Sequence, residues 1–192
     1  MPHSLHPEVL STLIVIRTKP ELVPGSCIST LALFTVRRLG RREAHFEIIH
    51  HAFGRDAPRA QILSALCRSL PPDGELLVRA PLTDPQAVRR AAADGRPLPP
   101  TDLDLIRRLS PEQIIVPLTV TNAQLITAGE QLGLEIPGPG STPLRRRRRA
   151  PEQAMALWSV YTAGFCRKPE ARVLFAAFRA WRALQEARAI PF

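Results

Sequence analysis

Four consecutive apolar residues, Leu13-Ile14-Val15-Ile16, three of them β-branched, set the first limit on this chain. A strand with one wet face alternates apolar and polar side chains, whereas a strand covered on both faces reads as a continuous apolar run. The run is stopped by Pro20. It predicts a strand buried between two layers, and so an α/β arrangement with helices over a sheet.

The segments that follow extend this reading. Cys27 to Val36 and Ala44 to Phe53 are strand-like, and Arg37-Arg38-Leu39-Gly40-Arg41-Arg42 joins them as a hairpin. From Asp56 to Leu70 the period changes, with Ile62, Leu63, Leu66 and Leu70 at helical spacing. Asp56 suits the N-cap, Pro58 suits the first turn and Pro71-Pro72 stops the helix. After Asp73-Gly74, Glu75 to Val78 reads as a fourth strand. Asp84-Pro85 opens a second helix running towards Asp94-Gly95, and Pro97 to Pro100 forms a linker before a helical piece from Asp102 to Leu109.

Thr121 and Gln124 have capping-box spacing, so another helix runs on from there and ends near Gly133. Pro137 to Pro143 reads as a loop that continues into Arg145 to Arg149. Pro151 to Thr162 is apolar on almost every side, the mark of a buried helix. Pro169 starts a last helix with Leu174, Phe178, Trp181 and Leu184 on one stripe. Trp158, Tyr161, Phe178 and Trp181 therefore read as core. The order is β-β-β-α-β-α followed by helices, without an internal repeat.

The 192 residues favour one domain, large enough to fold without a disulfide or metal staple. The formal charge is +9, and all but Lys19 and Lys168 of the 26 basic residues are arginine. Such a surplus points to an anionic partner, although arginine and alanine bias from a GC-rich genome explains the composition equally well. Cys27, Cys67 and Cys166 are odd in number and widely spaced, which predicts reduced core cysteines. Met1 to Pro7 lacks a signal-peptide pattern, and no apolar run approaches the roughly 18 residues of a membrane helix. The expectation is a cytoplasmic protein without a membrane partner.

The element order resembles that of ribonuclease-H-like proteins, and short motifs narrow the resemblance. Leu13 to Arg17 followed by Thr18-Lys19-Pro20-Glu21-Leu22 is similar to the opening of the predicted 3′–5′ exonucleases related to the proofreading domain of family-B DNA polymerases, a DEDD-type family. Leu125-Ile126-Thr127-Ala128 with Leu132-Gly133-Leu134-Glu135-Ile136-Pro137-Gly138 resembles that family's helix ending in Leu-Gly-x-x-Gly. Glu152 to Tyr161 resembles its last, motif-bearing helix. The resemblance runs from about Leu13 to Tyr161. It implies a ribonuclease-H-like mixed sheet flanked by helices over residues 1–166, with 167–192 as a C-terminal helix packed on the same domain.

The family's chemistry requires four carboxylates that hold two divalent ions, Mg2+ or Mn2+, for phosphodiester cleavage. By the resemblance, the first aspartate falls at Val15 and the glutamate at Arg17, where one side chain cannot coordinate and the other repels a cation. The second motif's asparagine falls near Pro81 and its aspartate at Asp84, the one acid in place, although Asp84 before Pro85 is also a good N-cap. The last aspartate falls at Ala154 or Met155. The resemblance thus implies a catalytically inactive exonuclease-like domain with no metal cofactor and no catalytic residue beyond the weak candidate Asp84.

Other chemistry finds little support. His45, Glu47 and His51 share a strand face, but no supporting ligand spacing accompanies them. No nucleophile elbow or phosphate loop occurs. The arginines remain: Arg145, Arg146, Arg147, Arg148 and Arg149 before the last motif helix, Arg37, Arg38, Arg41 and Arg42 on the hairpin, and Arg17 at the end of the first strand. Their guanidinium groups suit phosphates of single-stranded or duplex-end nucleic acid, with counterion release supplying affinity. The expected function is therefore nucleic-acid binding by an inactive domain. The alternatives are a protein-interaction scaffold on the same fold, and an active nuclease using displaced carboxylates such as Glu21, Asp84, Asp102 or Asp104.

Overall fold

In the computed structural model the described residues are 6–17, 28–40, 42–54, 57–80 and 114–188. The apolar run lies in β1 (Val9–Arg17), the middle strand of a five-stranded mixed sheet. β2 (Ile28–Arg38) pairs antiparallel with β1, placing Leu13 opposite Leu33, and β3 (Ala44–Ala52) pairs antiparallel with β2. On the other side of β1, β4 (Glu75–Ala80) and then β5 (Ile114–Thr119) add in parallel, giving the order β3-β2-β1-β4-β5.

β1 begins four residues before the apolar run because pairing, rather than apolarity, sets its length. Ser11 and Thr12 precede the run, yet both are fully buried, and the Ser11 hydroxyl shares a 2.8 Å hydrogen bond with Thr35 on β2.

The pleat sends alternate side chains to two cores. Leu13, Leu31, Leu33, Leu76 and Val78 face α1 (Arg59–Ser69), which contributes Ile62, Ala65 and Leu66. Leu10, Ile14, Phe34, Phe46 and Leu77 face the opposite layer. That layer contains α2 (Asn122–Gln131), the short α3 (Pro143–Arg148), α4 (Ala150–Phe165) and α5 (Lys168–Arg188). Phe34 is its centre, with ring centroids 5.6 Å from Trp158, 5.9 Å from Phe178 and 6.1 Å from Phe46. Aromatic pairs of this kind add about 0.5–1.5 kcal/mol each beyond their buried area. Trp158 and Phe178 are fully buried, as the apolar stripes predict, and Trp181 packs partly buried against the same cluster. Leu184, the last member of the stripe, is 60% exposed.

The structure corrects the sequence reading at several points. α1 has Pro58 at its N-cap, with no side-chain capping bond, instead of Asp56, which lies outside the described residues. β5 is absent from the sequence reading. Pro117 disguises it, and a proline fits there because β5 pairs with β4 alone among the described strands. The predicted arginine loop is helical: Thr142 caps α3 by accepting from the Arg145 amide at 3.2 Å, and Pro143 occupies the first turn. Cys67 is exposed, whereas Cys166 is buried and its thiol is pushed up to about 12 by burial. Cys27, the Thr18–Leu22 motif, Pro81, the helix from Asp84 and the piece from Asp102 lie outside the described residues. No described helix is long and apolar enough to cross a membrane.

The capping box is present as read, with Thr121 and Gln124 bonding each other's backbone amides at 3.1 and 2.9 Å. At the other end of α2, Gly133 has φ +67 and the Leu134 amide reaches back to the Gly129 carbonyl at 2.8 Å. This is a Schellman ending, which needs the left-handed conformation that glycine adopts at no steric cost.

A buried polar node ties the start of the described chain to the helical layer. Trp158 Nε1 can only donate, and it donates to His6 Nε2 at 3.1 Å. The His6 proton must therefore sit on Nδ1, which donates to the Pro7 carbonyl at 2.8 Å. Glu170 on α5 accepts from the His6 backbone amide at 3.2 Å and pairs with Arg38 of β2 at 2.6 Å. Burial holds the imidazole below its ordinary value, against the Pro7 carbonyl and the Glu170 carboxylate, while Arg38 adds to the lowering.

Linkage sets the direction of the pH effect. Below about pH 6.5 the unfolded chain binds a proton that the folded chain refuses, so stability is full above that value and falls on acidification. Urea unfolding should show stability declining from pH 7.5 to 5, with the decline reduced in His6→Phe. A profile identical in both proteins would show that the imidazole is not held neutral.

Candidate functional site

β1 and β4 are parallel neighbours, so their carboxyl ends open on the same edge of the sheet. There the ladder is disturbed: Ile16 faces Thr30 but Arg17 faces Ile28, leaving Ser29 as an extra residue on β2. Ser29 compensates by donating its hydroxyl to the Ile16 carbonyl at 3.0 Å.

Beyond this edge lies a cleft of about 250 Å3. Its floor is Val15, Ile16 and Arg17 from β1 with Arg79 from β4. Its walls are Asn122 at the start of α2, the Pro137-Gly138-Pro139 turn, Arg146 from α3 and Gln153 from the first turns of α4.

Each wall is fixed by local chemistry. Arg79 Nε donates to the Val120 carbonyl at 3.0 Å and Nη2 donates to Asn122 at 2.9 Å, tying β4 to the start of α2. Gln153 donates to the Arg146 and Arg149 carbonyls, each at 3.3 Å, which ties α4 to the end of α3. Ile136 packs where a Cβ on Gly129 would stand, so the chain leaving α2 lies tight against that helix as it approaches the Pro137 turn. Asn122, the first residue of α2, lines the cleft, and helix N-termini carry partial positive charge.

The five consecutive arginines divide by role. Arg145 and Arg149 both bind the exposed Glu135 carboxylate, whose pKa is lowered chiefly by the Arg145 hydrogen bond. Arg149 also binds Glu152 at 2.7 Å. Arg147 donates to the Phe53 carbonyl at 2.9 Å, holding α3 over the end of β3. Arg146 faces the cleft, and Arg148 is exposed. Neither of these two makes an ion pair among the described residues. Arg17 lines the cleft and has partners within the chain.

The hairpin arginines stand elsewhere. Arg37 lies opposite Val9, at the other end of β1. The two ends of that nine-residue strand are roughly 26 Å apart at the usual rise per residue. Arg37 forks onto Asp73 at 2.9 and 3.2 Å, and that hydrogen bond lowers the Asp73 pKa and raises that of Arg37. Arg38 is held by Glu170 and by the His6 carbonyl at 3.0 Å. Arg42 is exposed, and Arg41 lies outside the described residues. The two arginine groups therefore do not form one surface at the cleft.

The acid positions sort as clearly. Val15 and Arg17 line the cleft, but Ala154 and Met155 are buried in the core, and α4 presents Gln153 instead. Asp84, Glu21, Asp102 and Asp104 lie outside the described residues. Glu75, whose pKa is raised by burial, starts β4 and so stands at the far end of the sheet. His45, Glu47 and His51 share a face of β3, as read, but Ile49 separates the last two and His51 bonds Ser69 at 2.9 Å. No three His, Cys, Asp or Glu among the described residues form a group able to hold a metal. A pair of divalent ions does not fit the described lining, which offers three guanidinium groups and no carboxylate oxygen.

Two contributors escaped the sequence reading. Arg79 is an isolated arginine after Val78, and its signal was its position at the carboxyl end of a strand parallel to β1. Gln153 was masked by the expectation of an acid one or two residues later. Comparisons with family models, with curated proteins and with solved structures give no match.

Proposed function

We propose that this chain is a nucleic-acid-binding domain with a ribonuclease-H-like, exonuclease-type architecture, in which the cleft that would hold metal-binding carboxylates is cationic instead. The observation that carries this reading is the convergence of Arg17, Arg79 and Arg146 at the carboxyl ends of β1 and β4. The sheet order β3-β2-β1-β4-β5, with a helix crossing from β3 to β4 and helices on both faces, supports the architecture. Arginine contacts to phosphate position a strand without reading its bases, so binding with little sequence preference is expected. Among the described residues the exposed large apolar side chains Leu39, Ile114, Leu144, Phe165 and Leu184 do not line the cleft, which lends no support to an apolar protein-docking patch there.

The division of labour among the arginines makes the reading testable. Replacing both Arg146 and Arg148 with alanine should leave folding intact and flatten the salt dependence of oligonucleotide binding. For a single strand the slope should fall by about 0.7 for each phosphate that an arginine no longer neutralises. Replacing Arg145 and Arg149 instead frees Glu135 and should loosen α3, seen as a lower melting temperature. An unchanged salt slope in the Arg146→Ala/Arg148→Ala protein would remove α3 from the interface.

The inactive character is tested separately. Incubation of single-stranded DNA or RNA with Mg2+ or Mn2+ should give no cleavage above the buffer rate. Cleavage that disappears in Asp84→Ala would establish the active-nuclease alternative.

A further inference from the structure

We infer that the cleft is a metal-independent pocket for a phosphate monoester, either the terminal phosphate of a nucleic-acid strand or that of a free nucleotide. This deepens the nucleic-acid reading and rests on it only for the polymeric source.

The described lining carries three guanidinium groups and no carboxylate. A phosphate monoester offers three terminal oxygens and close to two negative charges, whereas a phosphodiester within a strand offers two such oxygens and one charge. Several arginines converging from different elements match the first better than the second, because planar forks gain most from bidentate contact with separate oxygens.

The arrangement is also built in advance. Arg79 is locked by Val120 and Asn122, so little side-chain freedom disappears when a ligand arrives. Arg146 stands across the cleft on α3, whose own position is fixed by Arg145, Arg149 and Arg147 through Glu135 and Phe53. Arg17, engaged within the chain, completes the floor. The volume of about 250 Å3 lies just below the usual range of small-ligand sites, on the order of 300–1,000 Å3, which suits one nucleotide unit rather than a duplex. Val15, Ile16 and Pro139 give such a unit an apolar contact beside the charged one.

The test uses the full chain in EDTA. Fluorescence anisotropy compares one single-stranded oligonucleotide with a phosphate at its 5′ end, at its 3′ end, or with both ends hydroxyl, while calorimetry follows inorganic phosphate and adenosine monophosphate. A terminal phosphate at one end should tighten binding about tenfold, the size of one charge-assisted bidentate contact. That advantage should vanish in Arg146→Ala, whose side chain is exposed and makes no ion pair among the described residues, and in Arg79→Gln. Equal affinity for all three oligonucleotides, with no binding of phosphate or nucleotide, overturns the pocket while leaving general nucleic-acid binding in place. Binding of phosphate or adenosine monophosphate without any oligonucleotide binding sustains the pocket and overturns the polymeric reading.

Discussion

Burial of β1 on both faces governs the rest of this structure. A strand covered on each side needs neighbours along both of its edges, because an unpaired backbone group away from water costs about as much as a missing hydrogen bond. β2 and β4 satisfy those edges, one antiparallel and one parallel. Covering both faces then requires α1 beneath and α2, α4 and α5 above, and the Phe34–Trp158–Phe178 cluster anchors the upper layer. Where β1 ends, the layers part, and the chain returns to that opening from α2, α3 and α4.

That geometry concentrates charge. Arginines at the ends of β1 and β4 and on α3 are brought together by strands and helices, not by a flexible tail. The five-arginine stretch would be a repelling, solvated run if it were extended. Folded as α3, it commits Arg145, Arg147 and Arg149 to holding the local structure and leaves Arg146 and Arg148 outward. The hairpin arginines follow the same pattern at the far end, where Asp73 and Glu170 engage Arg37 and Arg38. A net charge of +9 thus overstates how much of the surface is available to an anion.

The sequence shows β1 to β4, α1, α2, α4 and α5 because each carries a strong period or cap, such as the Thr121–Gln124 box or the Phe178 stripe. It hides β5, since Pro117 argues against a strand unless the strand lies at an edge. It hides α3 because arginine repeats look like loops when their partner, Glu135, is ten residues away from Arg145 in the chain. At the site, Val15 and Arg17 were legible as the end of β1 from the apolar run that leads into them. Arg79 was not, because its role depends on β4 lying beside β1. The abundance of arginine was visible in the sequence, but the place of Gln153 in the lining required the rotation of α4, which the burial of Ala154 and Met155 fixes.

Anomalous scattering from crystals soaked separately in tungstate and in manganese measures the sign of the cleft's preference most directly. A tungstate peak between Arg79 and Arg146, with no manganese peak in the cleft, is the predicted result. A manganese peak there, coordinated by carboxylates, would contradict the account.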